Sequence, residues 1–114
     1  MTTEQQRKML EAAAKACGID GRYVNAAQGI KYAKGQSGNY LQAYFNPLTN
    51  HADTAEMCAE VKIDTLWDDT NRFVECSKDR FFIQAHFKDH DNSRLKAWMY
   101  AAMMCAAKIG GYTE

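Results

Sequence analysis

The segment His86-Phe-Lys-Asp-His-Asp-Asn92 holds the densest group of side chains that could do chemistry. His86 and His90 supply imidazoles, and Asp89 and Asp91 supply carboxylates. A divalent metal or an acid–base pair would use such a donor set. Two considerations weigh against a metal. The remaining histidine, His51, stands alone, and structural metal sites usually show a tight ligand pair in each half. Aspartates before a helix also have an ordinary role, because carboxylates there cap free N–H groups and meet the positive end of the helix dipole. No cofactor is expected, and the set His86, Asp89, His90 and Asp91 stands as a minor metal alternative.

Other reactive types are scattered. Cys17, Cys58, Cys76 and Cys105 form no C-x-x-C pair, and the spacing predicts buried free thiols that behave as small hydrophobes. Cys76 could meet His86 across a hairpin, but it shares a face with Val74 and so points to the core. Gly35-Gln-Ser-Gly-Asn39 lacks the lysine and the glycine spacing of a phosphate-binding loop, and no helix follows it. A hairpin turn explains it. No serine, cysteine or threonine has the local signature of a nucleophile, so an enzyme is not expected.

Two sets of residues suit a binding surface instead. Tyr100 and Met104 lie four residues apart on a helix, opposite its apolar stripe and flanked by Lys96 and Lys108. An outward Tyr–Met pair suits a protein partner. Lys31, Tyr32, Lys34, Tyr40 and Tyr44 surround the first hairpin, where aromatic rings among lysines can stack on bases and touch phosphates.

The chain that must position these groups has 114 residues, 46% hydrophobic and 25% charged. That is enough for one core without metal or disulfide. Fourteen basic residues balance fourteen acidic ones, so no long-range pull toward nucleic acid is expected. Near-zero charge also permits self-association, and a homodimer is an open possibility. The polar start Met1-Thr-Thr-Glu-Gln-Gln6 lacks the features of a signal peptide, and no run reaches the ~20 apolar residues of a membrane helix. A cytoplasmic location without membrane partners is the default expectation.

Periodicity gives the elements. Thr3 to Cys17 reads as a helix with a Thr3/Gln6 capping box and a Gly18 stop. Gly29–Ala33 and Tyr40–Phe45 read as a hairpin, and Ile19–Gln28 before them as a connection. Ala52–Val61 reads as a helix capped by Thr49 or Asn50. Ile63–Asn71 looks irregular, with Leu66 and Trp67 packing. Arg72–Cys76 and Arg80–Phe87 form a second hairpin, in which Phe81, Ile83, Ala85 and Phe87 alternate with Phe82, Gln84 and His86. Asp91 or Asn92 caps a last helix to about Ile109, with a stripe of Leu95, Trp98, Met99, Ala102, Cys105, Ala106 and Ile109. The expected fold is α+β in the order α-β-β-α-β-β-α, one domain over residues 1–114. An antiparallel sheet of about four strands would be sandwiched by three helices, α/β/α-like.

Several motifs add a lineage. Phe45-Asn-Pro-Leu-Thr-Asn-His-Ala-Asp53, Glu75-Cys-Ser77, His86 to Leu95, Ala106-Ala-Lys-Ile-Gly110 and Ala16-Cys-Gly-Ile-Asp-Gly21 together resemble the phage ABA-sandwich domain family, to which the NinX-like accessory proteins are related. The resemblance implies a sheet between helices and a phage or prophage origin. It implies no set of catalytic residues. Phe45 stands where that family commonly has tryptophan, which puts any shared ligand in doubt. The expected function is a small non-enzymatic binding module, with a host or phage protein as partner. The alternatives are an inhibitor of a host defence complex, a nucleic-acid binder through the first hairpin, and a metal-dependent enzyme.

Overall fold

The computed structural model describes residues 2–34 and 41–113, and of residues 33, 34, 41 and 42 it describes the backbone only. The described elements are α1 (Thr3–Ala16), β1 (Gly21–Val24), β2 (Gly29–Lys34), β3 (Leu41–Phe45), α2 (His51–Val61), β4 (Asp64–Asp68), β5 (Phe73–Lys78), β6 (Phe81–His86) and α3 (Arg94–Ile109), with a 3-10 turn (Phe87–His90) before α3. The α+β class holds. The strand count and the layering differ from expectation. Six described strands form two separate three-stranded antiparallel sheets, ordered β1-β2-β3 and β4-β5-β6. The helices pack between the sheets rather than outside one sheet. α1 packs along α3, the first sheet rests on α1, and the second rests on α3.

The two unexpected strands explain the difference. β1 lies in the supposed connection and pairs Arg22 with Lys31 and Tyr23 with Ile30. β4 lies in the supposed irregular stretch and pairs Leu66 with Glu75 and Trp67 with Val74. Each is only four or five residues long. Their strand form comes from cross-strand pairing rather than from a pattern of their own.

The start of each helix is fixed by side-chain caps. Thr2 and Gln5 close a capping box on α1, one residue earlier than expected. Asn50 Oδ1 accepts from the Ala52 and Asp53 N–H groups at the start of α2. Ser93, not Asp91 or Asn92, caps α3, and its hydroxyl accepts from the Lys96 N–H at 3.1 Å. Asp91 and Asn92 both sit at φ 57°, in the left-handed region that asparagine and aspartate tolerate best among non-glycine residues. They turn the chain out of the 3-10 segment before the cap.

The Asn-Pro-Leu-Thr motif has a structural role. Buried Asn46 accepts from the Leu48 N–H and donates its side-chain amide to the Gln28 carbonyl. Its own N–H reaches Asp53 Oδ2 at 2.9 Å. Buried Thr54 donates its hydroxyl to the Pro47 carbonyl at 2.8 Å. These bonds fix the path from β3 into α2.

The core runs along α3. Ala97, Met99 and every residue from Ala101 to Ala107 are buried, so the helix is enclosed nearly all round. Its alanines allow close approach. Gly110, just past its end, lies so near α1 that a methyl group there would overlap the Ala12 carbonyl oxygen. Among the described residues, no helix is long and apolar enough to cross a membrane.

Candidate functional site

The expected Tyr100–Met104 surface does not exist as drawn. Met104 is 5% exposed and belongs to the core. Tyr100 is half-buried, its ring 4.8 Å from that of His90. The physical reason is the layering. α3 lies between the second sheet and the other helices, so both of its faces meet protein. Lys96 is exposed and engages Asp91 at 2.8 Å, and Lys108 is half-buried at the far end.

The metal alternative also disperses. His86 lies on β6 with its ring 5.6 Å from Phe73, His90 stacks on Tyr100, and Asp91 pairs with Lys96. That lysine's hydrogen bond, and then its charge, hold the Asp91 carboxyl below its ordinary pKa. Asp89 is exposed in the 3-10 turn. Among the described residues, no three His, Cys, Asp or Glu side chains converge on a metal position. Burial pushes the Cys17 and Cys76 thiols up to about 12 and Cys58 to about 11. Thiols of that kind are protonated and poor nucleophiles at neutral pH.

The nucleic-acid set is split by the register. Lys31 pairs with Arg22 on one side and Tyr44 on the other, placing the three in one row across the first sheet. That row faces outward, because the alternate residues Ile30 and Phe45 are buried. Arg22 was not anticipated, since β1 carries no visible strand pattern. Tyr32 belongs to the opposite face. It lines a cleft of about 530 Å³ with Cys17, Ile19, Phe45 and Met57 and the carboxylates of Asp53, Glu56 and Glu60. The side chain of Lys34, as well as Tyr40 and the Gly35–Asn39 turn, lies outside the described residues.

The strongest surface is the outer face of the second sheet. Val74, Cys76 and Ala85 are buried against α3. The residues between them in register therefore point away from it. Across the sheet these form three rows: Asp64, Ser77 and Phe82; Leu66, Glu75 and Gln84; Asp68, Phe73 and His86. Phe82 is 66% exposed and Leu66 59%. Gln84 donates to Glu75 Oε1 at 3.1 Å, which holds the centre of the face in place. Asp68 accepts from the Asn71 backbone and side-chain amides at 2.9 and 3.0 Å, and these bonds hold its carboxyl below the ordinary range. The nine positions carry three carboxylates and no lysine or arginine. Arg72 and Lys88 lie at the rim beside His86, and Arg80 stands in the β5–β6 turn at the opposite end.

Sequence pattern alone does not single out Leu66 or Phe82. One signal was present: Phe82 occupies the same register as Gln84 and His86, so a large aromatic stands on the polar side of an alternating strand. Leu66 is expected from the sequence to pack and is instead 59% exposed, because β4 forms a strand whose register turns it outward. In comparisons with known proteins, the chain matches no family model, no curated protein and no solved structure.

Proposed function

We propose that this chain is a non-enzymatic protein-binding module that docks partners on the open face of its second sheet. The observation that carries the reading is the joint exposure of Leu66 and Phe82 on one face of the sheet, with the Glu75–Gln84 bond between them in the register. Large apolar side chains on a rigid surface serve as binding anchors, because covering them removes apolar area from water at little cost in side-chain order. Covering what the two still expose contributes roughly 2–4 kcal/mol, against an association cost of ~4–15 kcal/mol. The pair alone therefore gives weak binding, and a tight partner must add contacts. The carboxylates of Asp64, Asp68 and Glu75 favour a partner whose own surface is basic.

The motif resemblance agrees with this class of protein and suggests a phage-type accessory role, with a host or phage protein as partner. The nucleic-acid reading is weaker. A row with two cations neutralises about two phosphates, which gives little affinity at physiological salt. Affinity capture from bacterial lysate tests the proposal, followed by binding of the identified, purified partner. The double variant Leu66→Asp/Phe82→Asp should weaken that binding at least tenfold. Tyr44→Asp, on the other sheet, should leave binding of a foreign protein to the second sheet's face unaffected. Equal affinity of the Leu66→Asp/Phe82→Asp variant and the parent for every partner would refute the reading.

A further inference from the structure

The two sheets present outer faces of opposite sign. The first shows Arg22, Lys31 and Tyr44 in one row, with Tyr44 49% exposed. The second shows Asp64, Asp68 and Glu75 around Leu66 and Phe82. Neither Arg22 nor Lys31 has a carboxylate partner among the described residues. The whole chain is neutral, so no net repulsion keeps copies apart. From this we infer that the partner of the second sheet is the first sheet of another copy of this chain. The inference rests on the second sheet's outer face being a docking surface.

The chemistry of the two faces matches. Two cations meet three carboxylates, and Tyr44 and the arginine provide flat groups to lie on Phe82. The contact joins unlike faces. It therefore either pairs two copies reciprocally or repeats head to tail. Pairing either face with itself would set like charges against each other. Size sets the strength. Three strands ~4.8 Å apart, at ~3.4 Å per residue, make a face of a few hundred Å², below the ~800 Å² per partner of a standard stable interface. Association should therefore be weak, with a dissociation constant on the order of 0.1–1 mM per contact.

Sedimentation velocity from 10 µM to 1 mM tests this at low and at 300 mM salt. The expected result is a sedimentation coefficient that rises with concentration at low salt and stays flat at high salt. Arg22→Glu/Lys31→Glu makes both faces acidic, and Asp64→Lys/Glu75→Lys makes both basic. Each variant alone should stay monomeric at 1 mM, and an equimolar mixture should associate again. A misfolded variant would give no such rescue, and circular dichroism confirms that each is folded. Three results would overturn the inference. One is a monomer at 1 mM in low salt. Another is association that survives either charge reversal. The third is a mixture that remains monomeric. A monomeric parent whose Leu66→Asp/Phe82→Asp variant loses a foreign protein would overturn this inference and leave the proposed function standing. A monomeric parent that binds single-stranded oligonucleotide through Arg22 and Lys31 would assign the first sheet's face to nucleic acid instead.

Discussion

The two sheets share a topology and differ in what holds them. Each is a three-stranded antiparallel meander with one face inward. The second sheet closes Val74, Cys76 and Ala85 against α3, the most deeply buried helix. The first buries Ile30 and Phe45 and rests on α1, with an open cleft between it and α2. Both inner faces enter one core cluster, but the second sheet packs broadly on α3 while the first meets α1 over a smaller contact. The same meander is therefore expected to be anchored more firmly where the contact with the helix behind it is broader.

The α1–α3 seam joins the two halves, so breaking it gives the largest expected effect. Gly110→Ala places a methyl against the Ala12 carbonyl oxygen. Overpacking of this kind costs ~1–3 kcal/mol, and a clash with backbone belongs at the upper end because backbone cannot rotate away. The melting temperature should fall by on the order of 10 °C. Thermal unfolding followed by circular dichroism measures it. A change below ~2 °C would show that the helices part easily, and that α1 does not couple the first sheet to the core.

The seam also shows what sequence can and cannot display. α3 was legible because steps of three and four persist through Trp98, Ala102, Cys105 and Ile109. Its enclosure on both sides was not. Alanine and methionine are compatible with an exposed or a buried face, and only the packing of neighbours decides. Leu95, placed in the apolar stripe, is 48% exposed, because the core begins at Ala97. β6 was legible from strict alternation, whereas β1 and β4 depend on partners distant in the chain. Among the candidate sites, residue types were visible and groupings were not. Lys31 and Tyr44 share a face with Arg22, while Tyr32 looks the other way, and only the register reveals that.

The thiols sharpen the comparison at intermediate cost. Cys76 and Cys105 are buried, Cys17 is half-buried at the cleft beside the first sheet, and Cys58 is half-buried on α2. Their exposure predicts that a thiol reagent at pH 8 modifies Cys17 and Cys58 at least tenfold faster than Cys76 and Cys105, as read by mass spectrometry of digested samples. Equal rates would mean that the molecule opens only as a whole. The same burial predicts a pH dependence. The Cys76 thiol is pushed from 9.0 up to about 12 by desolvation. The unfolded chain therefore loses that proton first as pH rises. The stabilisation from keeping the thiol neutral is complete below pH ~9 and fades from there toward pH ~12, by at most ~1.4 kcal/mol per pH unit. Urea unfolding at pH 8 and 10 should show a larger loss of stability in the parent than in Cys76→Ala. Identical losses would mean that the thiol titrates alike in both states.

The smallest expected effects lie where each sheet passes into a helix. Behind the first sheet, Asn50 caps α2, and Asp53 also accepts from the Asn46 N–H. Behind the second, Ser93 caps α3 after the left-handed pair Asp91-Asn92. Losing a cap costs ~1 kcal/mol, so Asn50→Ala and Ser93→Ala should each lower stability by about that much. Asp91→Asn should have less effect than Ser93→Ala. Its carboxylate serves an exposed pair with Lys96, and such pairs contribute little in water. Asparagine also tolerates the left-handed backbone at this position. Urea titration of the three variants separates the roles. A larger loss for Asp91→Asn than for Ser93→Ala would mean that the carboxylate, not the hydroxyl, starts the helix. The second sheet would then reach α3 through charge, and not through the neutral cap that both junctions otherwise share.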